Sequence, residues 1–520
     1  MSATFHLAPP LLIILFLLVL TAGGSAHDRD TLLAIKKEWG NPRQLPSWDP
    51  AAADHCTWRG VTCDETTDGS SAGAVVVKLS LSLMNLNGSV PASVCALKNL
   101  IHLDLSINKL TGAFPAAVLY ACARLRFLDL SRNHFSGPIS AGIDVLSSTM
   151  EHLNLSRNNF GGEVLPTVGR LRKLKSLWLH RNNFTEAYPT EEISQIAGLE
   201  ELTLSDNSLT GDIPEAFANL TELRTIDLSF NMLTGSIPSW VLQHRKIEEV
   251  YLSNNAFSGE LTRNITAINL VDLDLSSNEL IGEIPESIGN LKNLASMFLD
   301  HNHFTGKIPT SIGLLPCLTG IYLSSNQLSG EVPRELGKHG PLENLMVQNN
   351  NLSGPLRETL CAKGKLLYIF AGNNNFSGAL PSNLGDCVLL DYIDISNNRF
   401  FNDFPIKIWF LRNMQVVLIQ NNGFTGTLPE EISFSISSID IGDNMFSGSI
   451  PKAATGLQFF NATNNRLTGE LPVDMSNLAN LTQLILAGNR ITGTMPKSIE
   501  LLQHLVRLDL SGNQISGMVL

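Results

Sequence analysis

A single repeat of 21 to 25 residues runs from Leu79 to the end of this 520-residue chain and restricts its fold more than any other feature. The repeat reads L-x-x-L-x-L-x-x-N-x-L-x-G-x-I-P, most clearly at residues 199–214 and 223–238. We count 19 copies; Met84 takes the place of asparagine in the first. The asparagines are Asn108, Asn133, Asn158, Asn182, Asn207, Asn231, Asn255, Asn278, Asn302, Asn326, Asn350, Asn374, Asn398, Asn422, Asn444, Asn465, Asn489 and Asn513.

The repeat predicts a solenoid of stacked coils. The L-x-L alternation places both leucines on one face of a short strand, and a single coil cannot bury that face alone. A buried asparagine amide has donors and an acceptor, so it can satisfy backbone groups where the chain leaves the strand. The Gly and Ile-Pro then turn the chain back along the convex side. We therefore predict an α/β solenoid with a parallel β-sheet on its concave side, in which the Leu and Asn columns are scaffold.

The first 26 residues contain no Asp, Glu, Lys or Arg, and residues 11–20 form an unbroken apolar run. Small residues, Gly24 and Ala26, follow this run, which predicts a secretory signal peptide over residues 1–26. An uncleaved anchor is the alternative, although the run is short for a bilayer. No later stretch reaches about 18 apolar residues, so we predict no membrane span in the mature chain.

Composition and motifs exclude several classes of function. The net charge is -12 and the 36 Lys and Arg residues are scattered, which argues against nucleic-acid binding. None of the twelve His residues falls in a Cys-x-x-Cys or His-x-x-x-His frame, so no metal site or other cofactor is predicted. No kinase signature, nucleophile elbow or Walker loop occurs, so the sequence predicts no enzyme.

The L-x-G-x-I-P ending resembles plant extracellular leucine-rich-repeat receptors over essentially residues 28–520. The segment before the repeats is similar to the N-terminal cap of that family, through Asp-Thr-Leu-Leu-Ala-Ile-Lys-Lys-Glu-Trp at 30–39, Leu-Pro-Ser-Trp at 45–48 and Cys-Thr-Trp-Arg-Gly-Val-Thr-Cys at 56–63. The resemblance implies a plant-type leucine-rich-repeat superhelix, with a cap at 27–76 and an array of about 19 repeats at 77–520, the last incomplete. A small helix and a disulfide in the cap would cover the open face and strand edge of the first coil. Within the family, the chain most resembles the ectodomains of the HAESA-like receptor kinases.

Seven cysteines in a secreted chain predict three disulfides and one remaining thiol. Cys56 with Cys63 fits the cap. Cys95 and Cys122, and likewise Cys361 and Cys387, occupy similar places in consecutive repeats, so each pair should stack about 5 Å apart. This leaves Cys317, which we expect to be a free buried thiol.

Nine N-x-S/T sequons are candidate glycosylation sites, and in a chain this rich in Asn we expect some to be empty. Two of them, Asn154 and Asn461, occupy the middle x of L-x-L, where a sugar would obstruct partners on the concave sheet. The nine are Asn87, Asn154, Asn183, Asn219, Asn264, Asn351, Asn375, Asn461 and Asn480.

The middle x of L-x-L should point to the concave face, where Asp is the usual residue in this chain. Large apolar side chains have no scaffold role there, so a column of them indicates a ligand-binding surface, with a decorative surface or an oligomer contact as alternatives. From the first to the last member the column covers eight repeat intervals, roughly 40 Å, the length of an extended peptide of about 12 residues. Its members are Trp178, Tyr251, Phe298, Tyr322, Met346 and Phe370.

Polar neighbours of this column are candidates for ligand specificity. HAESA-like members that capture a peptide carboxylate carry Arg-x-Arg on a strand; no concave strand from Leu318 to Leu486 has such a pair, which puts carboxylate capture in doubt. The polar neighbours are His180, Arg181, Glu248, Glu249, Asp300, His301 and Asp391.

The chain ends within a repeat, without the paired-cysteine cap, membrane span or kinase of a full receptor, and we expect a truncated form. The resulting hypothesis is a peptide-sensing receptor ectodomain or truncated receptor-like protein of plant signalling, at the outer face of the plasma membrane or secreted. Its expected partners are a peptide or protein ligand and a co-receptor kinase ectodomain. The alternative is a secreted defence protein similar to polygalacturonase inhibitors.

Overall fold

The computed structural model describes residues 24–52, 54–64, 74–139, 142–143 and 146–517. The predicted signal peptide, apart from its last three residues, and the final residues 518–520 lie outside this part of the chain. No helix within it combines the length and the apolar composition needed to cross a membrane. The chain divides into two compact units, one up to Leu233 and one from Thr234 onward, and each is described by itself.

Every L-x-L segment forms a short strand, and within each unit these strands pair in parallel, in register, to form what we call the front sheet. In the first unit these strands are Val75–Ser80, His102–Asp104, Phe127–Asp129, His152–Asn154, Ser176–Trp178, Glu201–Thr203 and Thr225–Asp227, and the cap strand Val61–Asp64 adds to the edge of this sheet in the antiparallel direction. The second has Glu249–Tyr251, Asp272–Asp274, Ser296–Phe298, Gly320–Tyr322, Asn344–Met346, Tyr368–Phe370, Tyr392–Asp394, Val416–Leu418, Ser438–Asp440, Phe459–Asn461, Gln483–Ile485 and Arg507–Asp509.

A second set of parallel strands follows the asparagines and forms back sheets, which we did not predict from the sequence. In the first unit they are Asn87–Gly88, Lys109–Gly112, His134–Gly137, Asn159–Gly162, Asn183–Ala187, Ser208–Gly211 and Met232–Leu233. In the second they form three groups: Ser258–Glu260, Glu279–Glu283 and His303–Thr305; Ser329–Gly330, Asn351–Gly354, Asn375–Gly378, Arg399–Asp403 and Gly423–Thr425; Ser447–Gly448 and Arg466–Leu467.

Short helices complete the coils and return the chain to the next front strand. The α-helices are Gly24–Glu38, Ala116–Leu119 and Thr190–Ile193. The 3₁₀-helices are His55–Thr57, Val94–Ala96, Pro166–Arg170, Glu215–Asn219, Ser239–Leu242, Glu286–Asn290, Thr310–Leu314, Glu358–Cys361, Ser382–Asp386, Ile406–Phe410, Ser476–Leu478 and Lys497–Leu501.

The asparagine column forms the predicted ladder of hydrogen bonds. Asn326 Nδ2 donates to the carbonyls of Leu299, Leu323 and Ser324 at 2.9, 3.2 and 3.2 Å. Its Oδ1 accepts the N–H of Phe304 in the preceding coil at 2.9 Å. One side chain thus joins two coils and satisfies four backbone groups, which explains why the repeat needs an amide rather than a carboxylate there.

The residue before each ladder asparagine has a positive φ, for example 52° at Ile107, 53° at His301 and 58° at Asn349. The chain therefore turns sharply out of every front strand. The Gly of the L-x-G motif also has a positive φ, +75° at Gly306, and a Cβ there would lie 2.8 Å from Cγ of Glu283. This glycine is needed for its backbone conformation and because the preceding coil packs directly against it.

The N-terminal cap closes the first coil with more contacts than a helix and a disulfide. Strand Val61–Asp64 pairs antiparallel with Val75–Ser80 and so covers the sheet edge. Buried Asp28 accepts the N–H of Val76 at 2.9 Å, and Glu38 accepts that of Ala92 at 2.6 Å. The cap is thereby attached to the first coil at several separate points.

The three predicted disulfides are formed. Their Cα–Cα distances are 5.6 Å for Cys56–Cys63, 4.8 Å for Cys95–Cys122 and 6.0 Å for Cys361–Cys387. The prediction for Cys317 was wrong in one respect: its thiol is free but exposed. It lies between Leu315 and Leu318, which take the inward positions and leave Cys317 on the outer side of the turn.

Candidate functional site

Four members of the predicted column lie on adjacent front strands of the second unit. Phe298 pairs with Tyr322, Tyr322 with Met346, and Met346 with Phe370 in the parallel register. The apolar residue on either side of each is fully buried in the core, and the column side chains are half-buried on the front face. We call this set, together with Tyr392, the aromatic patch.

The first half of the aromatic patch is a stacked pair. The rings of Phe298 and Tyr322 have centroids 4.1 Å apart and an interplanar angle of 18°. The ring of Tyr322 passes over Gly320 in its own strand, where a Cβ would lie 2.7 Å from Cε2. The missing side chain at Gly320 therefore leaves room for the edge of the Tyr322 ring, while one face of the ring stacks on Phe298.

The second half includes a residue that sequence reasoning missed. Phe370 stacks on Tyr392, with centroids 4.6 Å apart, and Tyr368 lies 6.4 Å from Phe370. Tyr368 and Tyr392 occupy the first position of their strands, two residues before the middle x. Because side chains alternate along a strand, this position shares the front face, and scanning it would have found both tyrosines.

Acidic groups surround the aromatic patch. Burial, then the charges of Glu343 and Asp300, raise the pKa of Tyr322. Burial, then Asp394, raises the pKa of Tyr392. In the repeats of Asn302 to Asn489, no Lys or Arg occupies the residue before the front strand, its first or third position, or the second residue after it. This part of the front face is thus aromatic and negatively charged.

Two further polar features lie on the same face. Asp300 Oδ2 is 2.9 Å from Nδ1 of His301, whose side chain is 62% exposed. Among the described residues, Oε1 of Gln348 and of Gln420 are buried and have no hydrogen-bond partner. Both glutamines follow their strands at equivalent positions.

The other two predicted column residues, Tyr251 and Trp178, lie on strands that do not pair directly with the strands of the aromatic patch. Tyr251 belongs to the second unit, but Asp274 lies between it and Phe298. Trp178 belongs to the first unit, pairs with Asn154 and Thr203, and its Nε1 donates to Glu201 at 2.9 Å. The predicted ligand length from Trp178 to Phe370 remains a prediction.

The front face of the first unit has its own aromatic cluster, which we also missed. His102 stacks on Phe127 at 4.0 Å and 6°, and Phe127 lies 5.8 Å from His152. Burial, with Lys78 as the next cause, lowers the pKa of His102 to about 4. Nearby, His180 contacts Thr203 Oγ1 at 3.0 Å, and burial lowers its pKa.

The sequons differ in accessibility. Asn154 is only 8% exposed; its Nδ2 donates to Asp129 at 2.9 Å and its Oδ1 accepts from Ser156. Asn461 is half-buried, with Nδ2 donating to Asp440 at 3.0 Å, and Asn375 is also half-buried. The exposed sequons are Asn87, Asn183, Asn219, Asn264, Asn351 and Asn480.

One group of potential metal ligands, His55 with Cys56 and Cys63, lies close together in the described part of the chain. Both cysteines belong to the cap disulfide, so neither supplies the thiolate that a zinc site requires. We derive no metal chemistry from this group.

The comparisons with known proteins agree with the stacked coils. The protein-family model described as the leucine rich repeat N-terminal domain matches residues 25–64. The family model described as the leucine rich repeat matches residues 197–257 and 268–328. The fold and its repeat thus define a leucine-rich-repeat protein. A solved structure of the LRR ectodomain of the Arabidopsis receptor kinase HAESA, in complex with an N-terminally extended IDA peptide hormone ligand, superposes with a TM-score of 0.84 at 31% identity. The match covers 96% of this chain and 87% of that one, so this chain belongs to the family of plant leucine-rich-repeat receptor ectodomains.

Other relatives match over different lengths. The ectodomain of GASSHO1/SCHENGEN3 from Arabidopsis thaliana, solved with CASPARIAN STRIP INTEGRITY FACTOR 2, gives a TM-score of 0.80 at 31% identity over 93% of this chain and 62% of that one. The LRR receptor-like serine/threonine-protein kinase GSO2 of the same plant is 34% identical over 117 residues, 21% of this chain and 9% of the kinase. The aligned segments thus span a small part of the first curated relatives. Polygalacturonase inhibitor 1 of rice is 35% identical over 101 residues, 19% of this chain and 28% of the inhibitor.

Proposed function

We propose that this chain is an extracellular peptide-binding ectodomain of plant signalling, acting within a longer receptor or as a receptor-like protein. The ligand lies across the aromatic patch on the front sheet of the second unit. The observation that carries the proposal is the pair of aromatic stacks, Phe298 on Tyr322 and Phe370 on Tyr392, on a face where the repeat itself needs no aromatic side chain.

The relatives support the same role. The HAESA ectodomain is solved with the IDA peptide hormone, and in another structure with IDA and the co-receptor SERK1, which matches this chain at 31% identity with a TM-score of 0.82. We therefore include a co-receptor kinase ectodomain among the expected partners. The outer face of the plasma membrane is the corresponding location.

The dimensions of the patch suit an extended peptide. It occupies five successive coils, from Phe298 to Tyr392, and so spans four coil intervals, about 19 Å at a strand spacing of about 4.8 Å. About six extended residues cover this distance. A longer peptide would continue over neighbouring coils, where the polar side chains beside the patch contact its backbone.

The experiment is a selection from a random library of 12-residue peptides on the full secreted chain. We expect binders whose affinity falls at least tenfold when Tyr322 and Phe370 are both replaced by Ala. Phe434→Ala is the matched control, because Phe434 is 70% exposed and is not a front-strand residue. Selected peptides that bind the double variant and the native chain equally would refute the proposal.

The second candidate is inhibition of microbial polygalacturonases, supported by the 35% identity to the rice inhibitor over 101 residues. A panel of fungal polygalacturonases assayed with the purified chain separates the two candidates. Inhibition that survives replacement of Tyr322 and Phe370 would favour this second function over peptide binding.

A further inference from the structure

We propose that the ligand is cationic and places a Lys or Arg side chain over the ring of Tyr322, between the carboxylates of Asp300 and Glu343. This inference rests on the proposed function and specifies its ligand class. The inference goes beyond the proposed function because peptide binding to the aromatic patch requires no particular charge on the ligand.

The placement of the two carboxylates supports this cation-binding position over Tyr322. Asp300 follows the strand of Phe298, one coil before Tyr322, and Glu343 precedes the strand of Met346, one coil after it. Both are close enough for their charge to raise the pKa of Tyr322. The tyrosine ring therefore has a negative charge on each neighbouring coil, and an aromatic ring face itself attracts cations.

The protein does not neutralise these charges with its own cations on this face. No Lys or Arg occupies the front positions of the repeats of Asn302 to Asn489. The nearest basic partner is His301, 2.9 Å from Asp300, and it carries a charge only when protonated. A ligand cation would provide the missing positive charge, whereas a carboxylate, phosphate or sulfate there would be repelled.

The packing of Tyr322 fixes the ring that would receive the cation. The Gly320 backbone lies against the ring edge and Phe298 against one ring face, with the two ring centroids 4.1 Å apart. A guanidinium or ammonium group can then sit over the other face of a fixed ring instead of ordering a mobile side chain. This lowers the entropic cost of binding.

The test uses C-terminally amidated 12-residue peptides selected on the full chain. We expect the binders to share a Lys or Arg at one position, and replacement of a selected Arg by citrulline to weaken binding about tenfold. In the chain with Asp300→Asn and Glu343→Gln, the citrulline and Arg peptides should bind equally. The control, Glu335→Gln, removes an exposed carboxylate paired with Lys338 outside the front sheet and should preserve the difference.

The outcomes separate the two proposals. If selected peptides require Tyr322 and Phe370 but are neutral or acidic, or tolerate citrulline without loss, the cation-binding position is wrong and peptide binding stands. If no selected peptide depends on Tyr322 and Phe370, the proposed function fails and this inference fails with it.

Discussion

The ring of Tyr322 occupies the space that a side chain on Gly320 would fill, since a Cβ on Gly320 would lie 2.7 Å from Cε2 of the ring. Gly320 lies in a regular front strand, so alanine suits its backbone. We expect Gly320→Ala to lift Tyr322 from its stack on Phe298 and weaken binding of the selected peptides about tenfold, with little change in Tm. Ser296→Ala, at the same position one coil earlier, is the control. Unchanged affinity in Gly320→Ala would show that the stacked position of the Tyr322 ring is not part of the site.

The asparagine ladder predicts a large loss of stability when one member is removed. Asn326→Ala deprives the Phe304 N–H of its acceptor and three carbonyls of their donor. We expect a loss of about 3 kcal/mol, because buried backbone groups are left without partners. Urea unfolding followed by circular dichroism measures this. Asn293→Ala, which removes one exposed hydrogen bond at 3.3 Å, should cost less than about 1 kcal/mol.

The position before each ladder asparagine predicts a stabilising substitution. Ile107 has a φ of 52°, a left-handed conformation that a β-branched side chain tolerates poorly and Asn tolerates well. We expect Ile107→Asn to raise stability by about 1 kcal/mol. The reverse change at the equivalent position, Asn349→Ile, should lower it by a similar amount; its φ is 58°. Equal urea midpoints for all three proteins would mean that the turn is not strained.

Much of the scaffold could be predicted because the same sequence pattern occurs in every coil. Every coil must bury its L-x-L leucines and satisfy the same backbone groups, so the leucines and the ladder asparagines recur at the same positions. The back sheets were missed because their pairing involves backbone groups in segments such as Asn351–Gly354, where the repeat has a single inward-facing leucine and no apolar alternation that would mark a strand. We predicted a buried Cys317 from its residue type alone. Its exposure is set by its position in the turn, where Leu315 and Leu318 take the inward-facing positions.

The candidate site could be predicted only in outline. The column of Phe298, Tyr322, Met346 and Phe370 follows from the strand period alone. The contribution of Tyr392, and the role of Gly320 beneath Tyr322, depend on which way the rings tilt across neighbouring coils. That is a matter of packing between residues about 20 positions apart in sequence, and one repeat does not encode it.

The burial of Asn154 predicts uneven glycosylation. The residue is 8% exposed and its amide donates to Asp129, so a glycosyltransferase can reach it only before the coil folds. We expect Asn154 to be largely unoccupied in the secreted chain and exposed Asn183, in the adjacent coil, to be occupied. Mass spectrometry after enzymatic deglycosylation in heavy-oxygen water measures both sites. Full occupancy at Asn154 would mean that the sugar is added before folding and that this strand carries it on the front face.

The depressed pKa of His102 predicts a dependence of stability on pH. Burial, the charge of Lys78 and that of His152 lower the pKa of His102 from its ordinary value of 6.5 to about 4, and Asp104 opposes this shift. Between these two pH values His102 binds a proton in the unfolded chain but not in the folded chain. The free energy of unfolding therefore falls as the pH drops from 6.5 towards 4. His102→Gln removes this contribution, so the Tm of the native chain should fall more steeply than that of the variant over this range. Carboxylates that also titrate there are common to both proteins, and parallel Tm curves would show that His102 is protonated as readily in the folded chain as in the unfolded one.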